Sequence, residues 1–300
     1  MNTPSVKPVK DEFIATITGI DLRSPLTTSN RTMIDAAIWR YGVLVFHDQP
    51  LTQDEQLAFG ESFGTLETSL PRRYADEAAL KDSRVGVLDL SNVTSQGKGA
   101  DKNDQITLIN TINRVWHSDG LGLQTPFRYS ILSAQSAVSW GGETQFADLR
   151  AAYDALDERT KQLVADKIAL FSFSFPRQVF GLGLPEAGDK QVAPACWPLV
   201  RMHPGSGRKV LWVDSKLCEI CGMTLPEGRI LAQELLEHIT QRERVYSHKW
   251  QAGDVVMWDN RSVLHRGRRF DPTERRAMRR VSTLDDVPPL PYGDRRAYEA

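Results

Sequence analysis

The sequence lacks any apolar run of about 18 residues, the minimum for a helix that spans a membrane. Its first residues, MNTPSVKPVKDEF, carry no apolar stretch of the kind found in secretory signals. Only three cysteines are present, which is too few for a disulfide framework and suits a reducing compartment. These absences predict a cytoplasmic protein without a membrane partner.

An excess of charge of either sign is also missing. Lysine and arginine together number 37, aspartate and glutamate 38, and the net charge is -1. A general nucleic-acid-binding protein is basic overall, so we expect no nucleic-acid partner. The content of 41% hydrophobic and 25% charged residues is typical of a globular protein with a sizeable core.

Several common site motifs are absent as well. No glycine-rich dinucleotide fingerprint, phosphate-binding loop, internal repeat or low-complexity tract is present. Cys218 and Cys221 form one CxxC pair in KLCEICGM, and Cys196 is the remaining cysteine. A structural zinc site needs four ligands, so we interpret these cysteines as packed side chains.

The hydrophobic pattern predicts a few helices and many short strands. Helices are expected over 29–40, after Thr52 with Glu55 at capping-box spacing, over 148–167, and over 228–241 with one apolar stripe. That stripe contains Leu231, Leu235 and Ile239. Short strand-like runs are YSILSA, PLVRMH, KVLWVD, RVYSHKW, DVVMWDN, SVLHRG and RRAMRRVSTL, and an earlier buried strand is GVLVFHD.

This organisation favours a mainly β fold with flanking helices. Turn-forming stretches such as HPGSGRK and QAGD separate the strands, and the helices do not alternate with them regularly. An all-β core such as a jelly roll or a barrel fits this order of elements. We expect residues 1–300 to form one domain.

The stretch NRVWHSDGLG raises the possibility of a metal site. Side chains two apart on a strand point to the same face, so His117 and Asp119 would converge on one point. An iron(II) site with two histidines and one carboxylate needs a second histidine. His265 is the preferred candidate because it ends an apolar strand, after a turn and just before a dense arginine cluster.

The other histidines have simpler interpretations. His238 lies among polar neighbours on a helix and is expected to be solvated, and His203 precedes a Pro-Gly turn at a strand end. His47 and His248 lie in strand-like runs, where a hydrogen-bonded structural role is expected.

The arginine cluster offers partners for anionic groups. Its members are Arg261, Arg266, Arg268, Arg269, Arg275, Arg276, Arg279 and Arg280. Such a cluster is often a solvated basic face or a nucleic-acid patch. Arg276 and Arg280, however, share one face of a strand, and guanidinium groups bind carboxylates with two parallel hydrogen bonds. Near an iron, these two arginines would hold one anion on a cosubstrate and one on a substrate.

With these motifs in this order, the sequence resembles the iron(II)- and 2-oxoglutarate-dependent dioxygenases of the taurine dioxygenase type. Within them it is most similar to the phenoxyacetate-herbicide, or aryloxyalkanoate, dioxygenases. The resemblance runs from GIDLRSPL to RRVSTLDD and is strongest in RAAYDAL, WPLVRMHPGSGRK and MWDNRSVLHRGRRFD. It implies a double-stranded β-helix, that is, a cupin-like jelly roll.

The resemblance also implies roles for individual residues. The metal ligands would be His117, Asp119 and His265, and the far carboxylate of 2-oxoglutarate would be held by Arg276 with Thr144, the threonine of GGET. The residues implied to contact the substrate are Arg280 and Asn113. The likeness weakens in two segments where such enzymes tend to have lids over the substrate, the first being ETSLPRRYADEAALKD and the second FSFPRQVFGLGLPEAGDKQVAPAC. Herbicide-degrading members have a lysine near the first lid, and Arg72 and Arg73 are the basic residues, and the candidate substrate contacts, at that place here.

The implied reaction uses iron(II), 2-oxoglutarate and dioxygen on a small anionic organic substrate. For an aryloxyacetate, hydroxylation of the carbon next to the ether oxygen gives a phenol and glyoxylate, besides succinate and carbon dioxide. Four phenylalanines in or next to FSFPRQVFGLGLPEAGDKQVAPAC mildly favour an aromatic substrate, although they are equally compatible with core positions; they are Phe171, Phe173, Phe175 and Phe180. Related enzymes are often dimers or tetramers, so we expect a homo-oligomer.

Other functions stay open at this point. The same iron site would serve a sulfonate dioxygenase acting on a taurine-like substrate, or a tailoring oxygenase of natural products. An oxygenase acting on nucleic acid would use the arginines differently and bind with steep salt dependence. A metal-free jelly-roll binding protein would leave the histidines and the aspartate without a shared role.

Overall fold

In the part of the chain that the structure describes, strands outnumber helices, as the sequence predicts. A computed structural model describes residues 3–69, 84–92, 105–181 and 193–291. The strands are β1 (Ser5–Lys10), β2 (Ile14–Thr18), β3 (Val43–Phe46), β4 (Leu88–Asp89), β5 (Phe127–Ser136), β6 (Thr144–Asp148), β7 (Ile168–Phe171), β8 (Ala195–Pro198), β9 (Val200–Met202), β10 (Lys209–Leu211), β11 (Leu217–Ile220), β12 (Val245–His248), β13 (Val255–Asp259), β14 (Val263–Gly267) and β15 (Ala277–Leu284).

Helices lie between groups of strands rather than alternating with them. They are α1 (Thr28–Tyr41), α2 (Gln53–Glu61), α3 (Gln105–Ile112), α4 (Leu149–Asp154), α5 (Glu158–Val164), α6 (Phe175–Val179) and α7 (Leu225–Ile239), followed by a 3-10 turn at Arg242–Arg244. Among the helices of the described ranges, none has both the length and the apolar character to cross a bilayer.

Capping residues explain where the helices begin. The capping box between Thr52 and Glu55 is present at the start of α2, as predicted. The region 148–167 was predicted as one helical region, but it divides into α4 and α5. The division arises because Asp157 caps a new helix by accepting a hydrogen bond from the backbone N–H of Thr160.

In the described part of the chain, the largest sheet has seven strands in the order β1-β2-β3-β13-β5-β15-β4. Its pairs are antiparallel except for β2 with β3. A three-stranded antiparallel sheet, β12-β6-β14, lies against it. One hydrophobic cluster contains side chains from both sheets, and in it the ring of Phe146 on β6 lies 5.5 Å from that of Trp258 on β13. The candidate site forms at this junction.

The predicted apolar stripe of the last helix and the cysteines are packed as expected. Leu231, Leu235 and Ile239 of α7 are buried in one cluster with strands β7, β8 and β10. Cys196 is buried on β8, and Cys218 Sγ donates to the backbone oxygen of Leu170 at 3.2 Å.

Candidate metal centre

Two distant histidines are brought together by their own backbones. His265 lies on β14, and His117 forms an isolated antiparallel bridge with it. The His117 N–H donates to the His265 carbonyl oxygen at 3.0 Å, and the His265 N–H donates to the His117 carbonyl oxygen at 2.8 Å. The imidazole ring centroids therefore lie 4.2 Å apart, on the same side of the bridge.

Asp119 joins the histidines from a turn. The sequence predicts that His117 and Asp119 share one face of a strand, but only His117 makes a strand-like bridge and Asp119 lies in the turn that follows. Asn260 determines its position, because its Oδ1 accepts the Asp119 N–H at 3.0 Å and its Nδ2 donates to Ser130 Oγ at 3.0 Å. Ser130 in turn donates to Asp119 Oδ2 at 2.7 Å. Asp119 is therefore held beside the two histidines by Ser130 of β5 and by Asn260, which follows β13.

The three side chains present a donor set suited to iron(II). One nitrogen from each histidine and one carboxylate oxygen lie within 4.8 Å of one another, and all three residues are buried. Asp119 Oδ1 lies 3.8 Å from His117 Nε2, and Oδ2 lies 3.6 Å from His265 Nε2. His117 Nδ1 donates to the carbonyl oxygen of Val115 at 2.8 Å, which leaves the Nε2 lone pair for a metal. Two imidazoles and one carboxylate are the ligands of non-haem iron(II) sites with open positions.

Electrostatics keep the ligand atoms in their metal-binding protonation states. Burial lowers the pKa of His117 to about 3, with a further contribution from the neighbouring positive charges of His265 and Lys216. Burial likewise lowers the pKa of His265 to about 4. Burial alone would raise the pKa of Asp119, but the Arg280 guanidinium and the two imidazoles outweigh it and hold that pKa below its usual range. At neutral pH the histidines are therefore neutral and the aspartate is ionised.

These pKa values predict that the metal affinity changes little between neutral and mildly acidic pH. Two histidines with ordinary pKa values near 6.5 would lose about 100-fold in affinity between pH 7.5 and 5.5, because protons compete for the same lone pairs. With the pKa values lowered to about 3 and about 4, we expect the Mn(II) dissociation constant to change less than about threefold over this interval. Titration of the metal-free protein with Mn(II) at several pH values measures this, and an affinity that falls tenfold per pH unit would contradict it.

The lowered pKa values of His117 and His265 also determine how the free energy of unfolding depends on pH. The unfolded chain binds protons on His117 and His265 near pH 6.5, whereas the folded chain does so near 3 and 4. Between these values the unfolded state carries more protons. The contribution of these two residues to the free energy of unfolding therefore falls as the pH falls from about 6.5 to about 4.

A cavity of about 360 Å³ opens from the histidines towards Arg276 and Thr144. Arg276 precedes β15, its Nη2 lies 3.4 Å from the carbonyl oxygen of Gly142, and burial lowers its pKa to about 10. Thr144 begins β6, and its Oγ1 accepts a hydrogen bond from Trp250 Nε1 at 3.0 Å. The two residues predicted to bind the far carboxylate of 2-oxoglutarate thus line one cavity with both histidines.

The paired glycines of GGET permit this arrangement. Gly141 and Gly142 have φ angles of 73° and 71°, a region that glycine adopts without strain. A Cβ on Gly141 would lie 2.1 Å from the backbone oxygen of Arg269, and one on Gly142 would lie 3.3 Å from Arg276 Nε. Glycine at both positions therefore lets the turn approach the cavity.

A second cavity, of about 90 Å³, lies on the Asp119 side of the cluster. Its wall combines apolar side chains with basic ones, and Arg280, Asn113 and His117 line both cavities. The apolar members are Leu88, Ile112, Val115, Phe173 and Pro176. Arg280 was predicted to hold a substrate anion, and its Nη1 here donates to Asp119 Oδ1 at 2.5 Å.

The remaining candidates fall into separate groups. Arg72 and Arg73 lie outside the described residues. Of the four phenylalanines, Phe173 lines the second cavity, whereas Phe171 is buried in the core and Phe180 is exposed. The guanidinium of Arg229 lies 5.0 Å from the ring centroid of Phe175.

The other four histidines lie away from the ligand cluster. His47 Nδ1 and His248 Nε2 both contact the Asp254 carboxylate, at 2.7 and 3.1 Å, which confirms their structural role. His203 is buried with Nε2 3.0 Å from Asp259 Oδ2. His238 was predicted to be solvated, but it is half-buried with Nε2 2.9 Å from the backbone oxygen of Ala152, because α7 packs against α4.

Sequence reasoning missed the side chains that hold the ligands in place. Asn260 and Ser130 fix Asp119, and Asp214 and Lys216 contact the peptide of Ser118. Asn260 directly follows DVVMWD, and Asp214 directly follows KVLWV with Lys216 two positions later. Polar residues at the ends of apolar strands were therefore the available indication.

Comparisons with known proteins agree with this geometry. The profile of the "Taurine catabolism dioxygenase TauD, TfdA family" matches residues 5–282. The chain is 43% identical over 285 residues to alpha-ketoglutarate-dependent 2,4-dichlorophenoxyacetate dioxygenase of Cupriavidus pinatubonensis, covering 93% of this chain and 97% of that protein. It is 33% identical to (S)-phenoxypropionate/alpha-ketoglutarate-dioxygenase of Sphingobium herbicidovorans, covering 91% of this chain and 92% of that protein. Alpha-ketoglutarate is another name for 2-oxoglutarate.

A solved structure extends the likeness to three dimensions. AAD-2 in complex with Mn(II) and N-oxalylglycine superposes with a TM-score of 0.87 at 37% identity, covering 97% of this chain and all of that one. The chain therefore shares its fold with a protein whose crystal structure contains Mn(II).

Proposed function

Since the chain belongs to the TauD, TfdA family and is a dioxygenase that uses iron(II), 2-oxoglutarate and dioxygen, we propose that it hydroxylates an aryloxyalkanoic acid. The oxidised carbon is the one next to the ether oxygen. The observation that carries this proposal is a two-histidine, one-carboxylate cluster between two cavities, one lined by Arg276 and Thr144 and the other by apolar side chains and Arg280.

The metal ligands in this proposal are His117, Asp119 and His265. Bound iron(II) supplies the activation of dioxygen, coupled to the oxidative decarboxylation of 2-oxoglutarate to succinate and carbon dioxide. The protein's part is to keep both imidazoles neutral and to keep Asp119 ionised through Arg280 and Ser130.

The larger cavity is assigned to 2-oxoglutarate. Its far carboxylate would bind Arg276 and the Thr144 hydroxyl. The Arg276 guanidinium lies 3.4 Å from the Gly142 carbonyl oxygen and 5.5 Å from the ring centroid of Phe270, and it forms no ion pair within the described part of the chain. A buried guanidinium without an anion leaves costly unpaired donors, which favours a carboxylate there. With its far carboxylate there, the keto acid end of the cosubstrate would lie towards the histidines that line the same cavity.

The second cavity is assigned to the substrate. Its apolar wall, including Phe173 and Pro176, suits an aryl ring better than the short polar chain of taurine. Arg280 would bind the substrate carboxylate while keeping contact with Asp119, and Asn113 lies beside it. Hydroxylation of the carbon between the ether oxygen and the carboxylate gives a hemiacetal, which collapses to a phenol and glyoxylate.

The proposal extends to the organisation of the protein. The two facing sheets support a double-stranded β-helix, and residues 1–300 are proposed as one catalytic domain. We further expect a cytoplasmic homo-oligomer that acts on a small anionic molecule rather than on nucleic acid, consistent with the net charge of -1.

A substrate panel tests the proposed function. Succinate release is measured with iron(II), ascorbate and 2-oxoglutarate in the presence of phenoxyacetate, a chlorinated phenoxyacetate, a phenoxypropionate, taurine or no substrate. We expect release to rise only with the aryloxy acids. Stimulation by taurine alone would overturn the aryloxy assignment and favour a sulfonate dioxygenase.

Arg280→Gln tests how the substrate is recognised. Losing a charged hydrogen bond, worth about 1.5–3 kcal/mol, is expected to raise the KM for phenoxyacetate about 10–100-fold. Because Arg280 also contacts Asp119, the Mn(II) dissociation constant of the variant is measured in parallel and is expected to change much less. Weakened Mn(II) binding with an unchanged KM would mean that Arg280 serves Asp119 alone.

A further inference from the structure

A buried ion pair contacts the peptide that joins two of the metal ligands. Ser118 lies between His117 and Asp119 and is fully buried. Its backbone N–H donates to Asp214 Oδ2 at 3.1 Å, and its carbonyl oxygen accepts from Lys216 Nζ at 2.7 Å. The two backbone polar groups of this residue are thus bound by one pair of side chains, while its hydroxyl donates to the carbonyl oxygen of Val263 at 3.0 Å.

The ion pair is itself held rigidly. Lys216 Nζ lies 2.7 Å from Asp214 Oδ2, and the Lys216 N–H donates to Asp214 Oδ1 at 2.7 Å. Both side chains are buried. The Ser215 N–H donates to the carbonyl oxygen of Trp116 at 3.1 Å, so residues 214–216 run beside residues 116–118.

A contribution to the free energy of unfolding does not by itself explain the buried ion pair of Asp214 and Lys216. Removing two charges from water is costly, and a well-packed apolar pair often stabilises a fold as well as a buried ion pair does. What an apolar pair cannot do is bind the N–H and the carbonyl oxygen of Ser118 at fixed positions. Lys216 also lines the second cavity next to Asp119, so the pair lies directly beside the candidate centre.

We infer that Asp214 and Lys216 are positioning residues that orient the Ser118 peptide so that His117 and Asp119 converge on the metal. The inference rests on the proposed metal site. It assigns to this pair the same kind of task that Asn260 and Ser130 perform for the Asp119 side chain. Outer partners of metal ligands typically change metal affinity about 10–100-fold when they are removed.

The first test is Lys216→Met, which keeps the length of the side chain and removes its charge. Mn(II) binding to the metal-free protein is measured by electron paramagnetic resonance, and Tm is measured on the same samples. We expect the Mn(II) dissociation constant to rise about 10–100-fold. A matched control is Arg150→Met, which breaks the buried ion pair of Arg150 with Asp148 and the hydrogen bond of Arg150 to the carbonyl oxygen of Tyr41 at the end of α1. There we expect a lower Tm with Mn(II) affinity within about twofold of the wild type.

A double variant, Asp214→Asn with Lys216→Met, separates positioning from general stability. It leaves no unpaired buried charge, so Tm should recover relative to Lys216→Met. The Ser118 carbonyl still lacks its donor, so Mn(II) binding should stay about tenfold or more weaker than in the wild type. Recovery of Mn(II) affinity together with Tm would overturn the inference, as would equal weakening in Arg150→Met.

Mn(II) binding by the wild type and by His265→Ala shows whether a failed prediction concerns the metal site itself or only the positioning role of Asp214 and Lys216. If the wild type binds Mn(II) and His265→Ala does not, the metal site stands whatever Lys216→Met shows. Unchanged affinity in Lys216→Met would then overturn the positioning role alone. A wild type that binds no Mn(II) would overturn the proposed function and this inference together.

Discussion

His265→Ala is expected to abolish succinate formation and to weaken Mn(II) binding by more than about 100-fold. This loss exceeds the loss of about 10–100-fold that is typical when only an outer partner of a metal ligand is removed. The reason is that His265 supplies one of three ligand atoms, and its backbone bridge to His117 would survive the substitution. The fold should therefore persist while the metal affinity is lost. Succinate release and Mn(II) titration measure the two effects.

His248→Ala is the matched control for this loss. His248 is equally buried and contacts Asp254 instead of the ligand cluster. We expect its Mn(II) dissociation constant to stay within about threefold of the wild type, because no ligand atom is removed. Retained succinate formation in His265→Ala would remove that residue from the proposed metal site.

Arg276→Gln is expected to raise the KM for 2-oxoglutarate about 10–100-fold, because a charged hydrogen bond to the far carboxylate, worth about 1.5–3 kcal/mol, is lost. The Mn(II) affinity should hardly change, because Arg276 is not a ligand. Initial rates of succinate release at varied 2-oxoglutarate concentration give the KM.

The neighbouring Arg275→Gln provides the control, because Arg275 is exposed and is not among the residues that line the cavity. Its KM for 2-oxoglutarate should match that of the wild type. Equal effects in the two variants would show that the arginine cluster acts through its overall charge rather than through one carboxylate contact.

The ligand cluster could be anticipated from the sequence because its residue types are rare in combination. His117 and Asp119 stand two apart, and His265 ends an apolar strand before the arginines. Resemblance to a known family then pointed to Arg276 and Thr144, which line one cavity in the structure. Capping at Thr52 was predictable for a local reason, since the interacting residues are three apart.

What escaped prediction depends on contacts between distant segments. Asp119 reaches the cluster from a turn held by Asn260, 141 positions later in the chain, and Arg280 contacts Asp119 rather than standing alone. The ion pair of Asp214 and Lys216 reads in the sequence as ordinary polar residues after a strand. Only the fold shows that it is buried against the Ser118 peptide, because Ser118 lies 96 positions before Asp214 in the chain.

The most direct test of the central claim is the product balance with phenoxyacetate. Phenol, glyoxylate and succinate are quantified together in the complete reaction with iron(II), ascorbate and 2-oxoglutarate. Oxidation at the carbon next to the ether oxygen predicts that the three products appear in equal amounts. Succinate without phenol, or a hydroxylated ring with the ether intact, would contradict the proposed reaction.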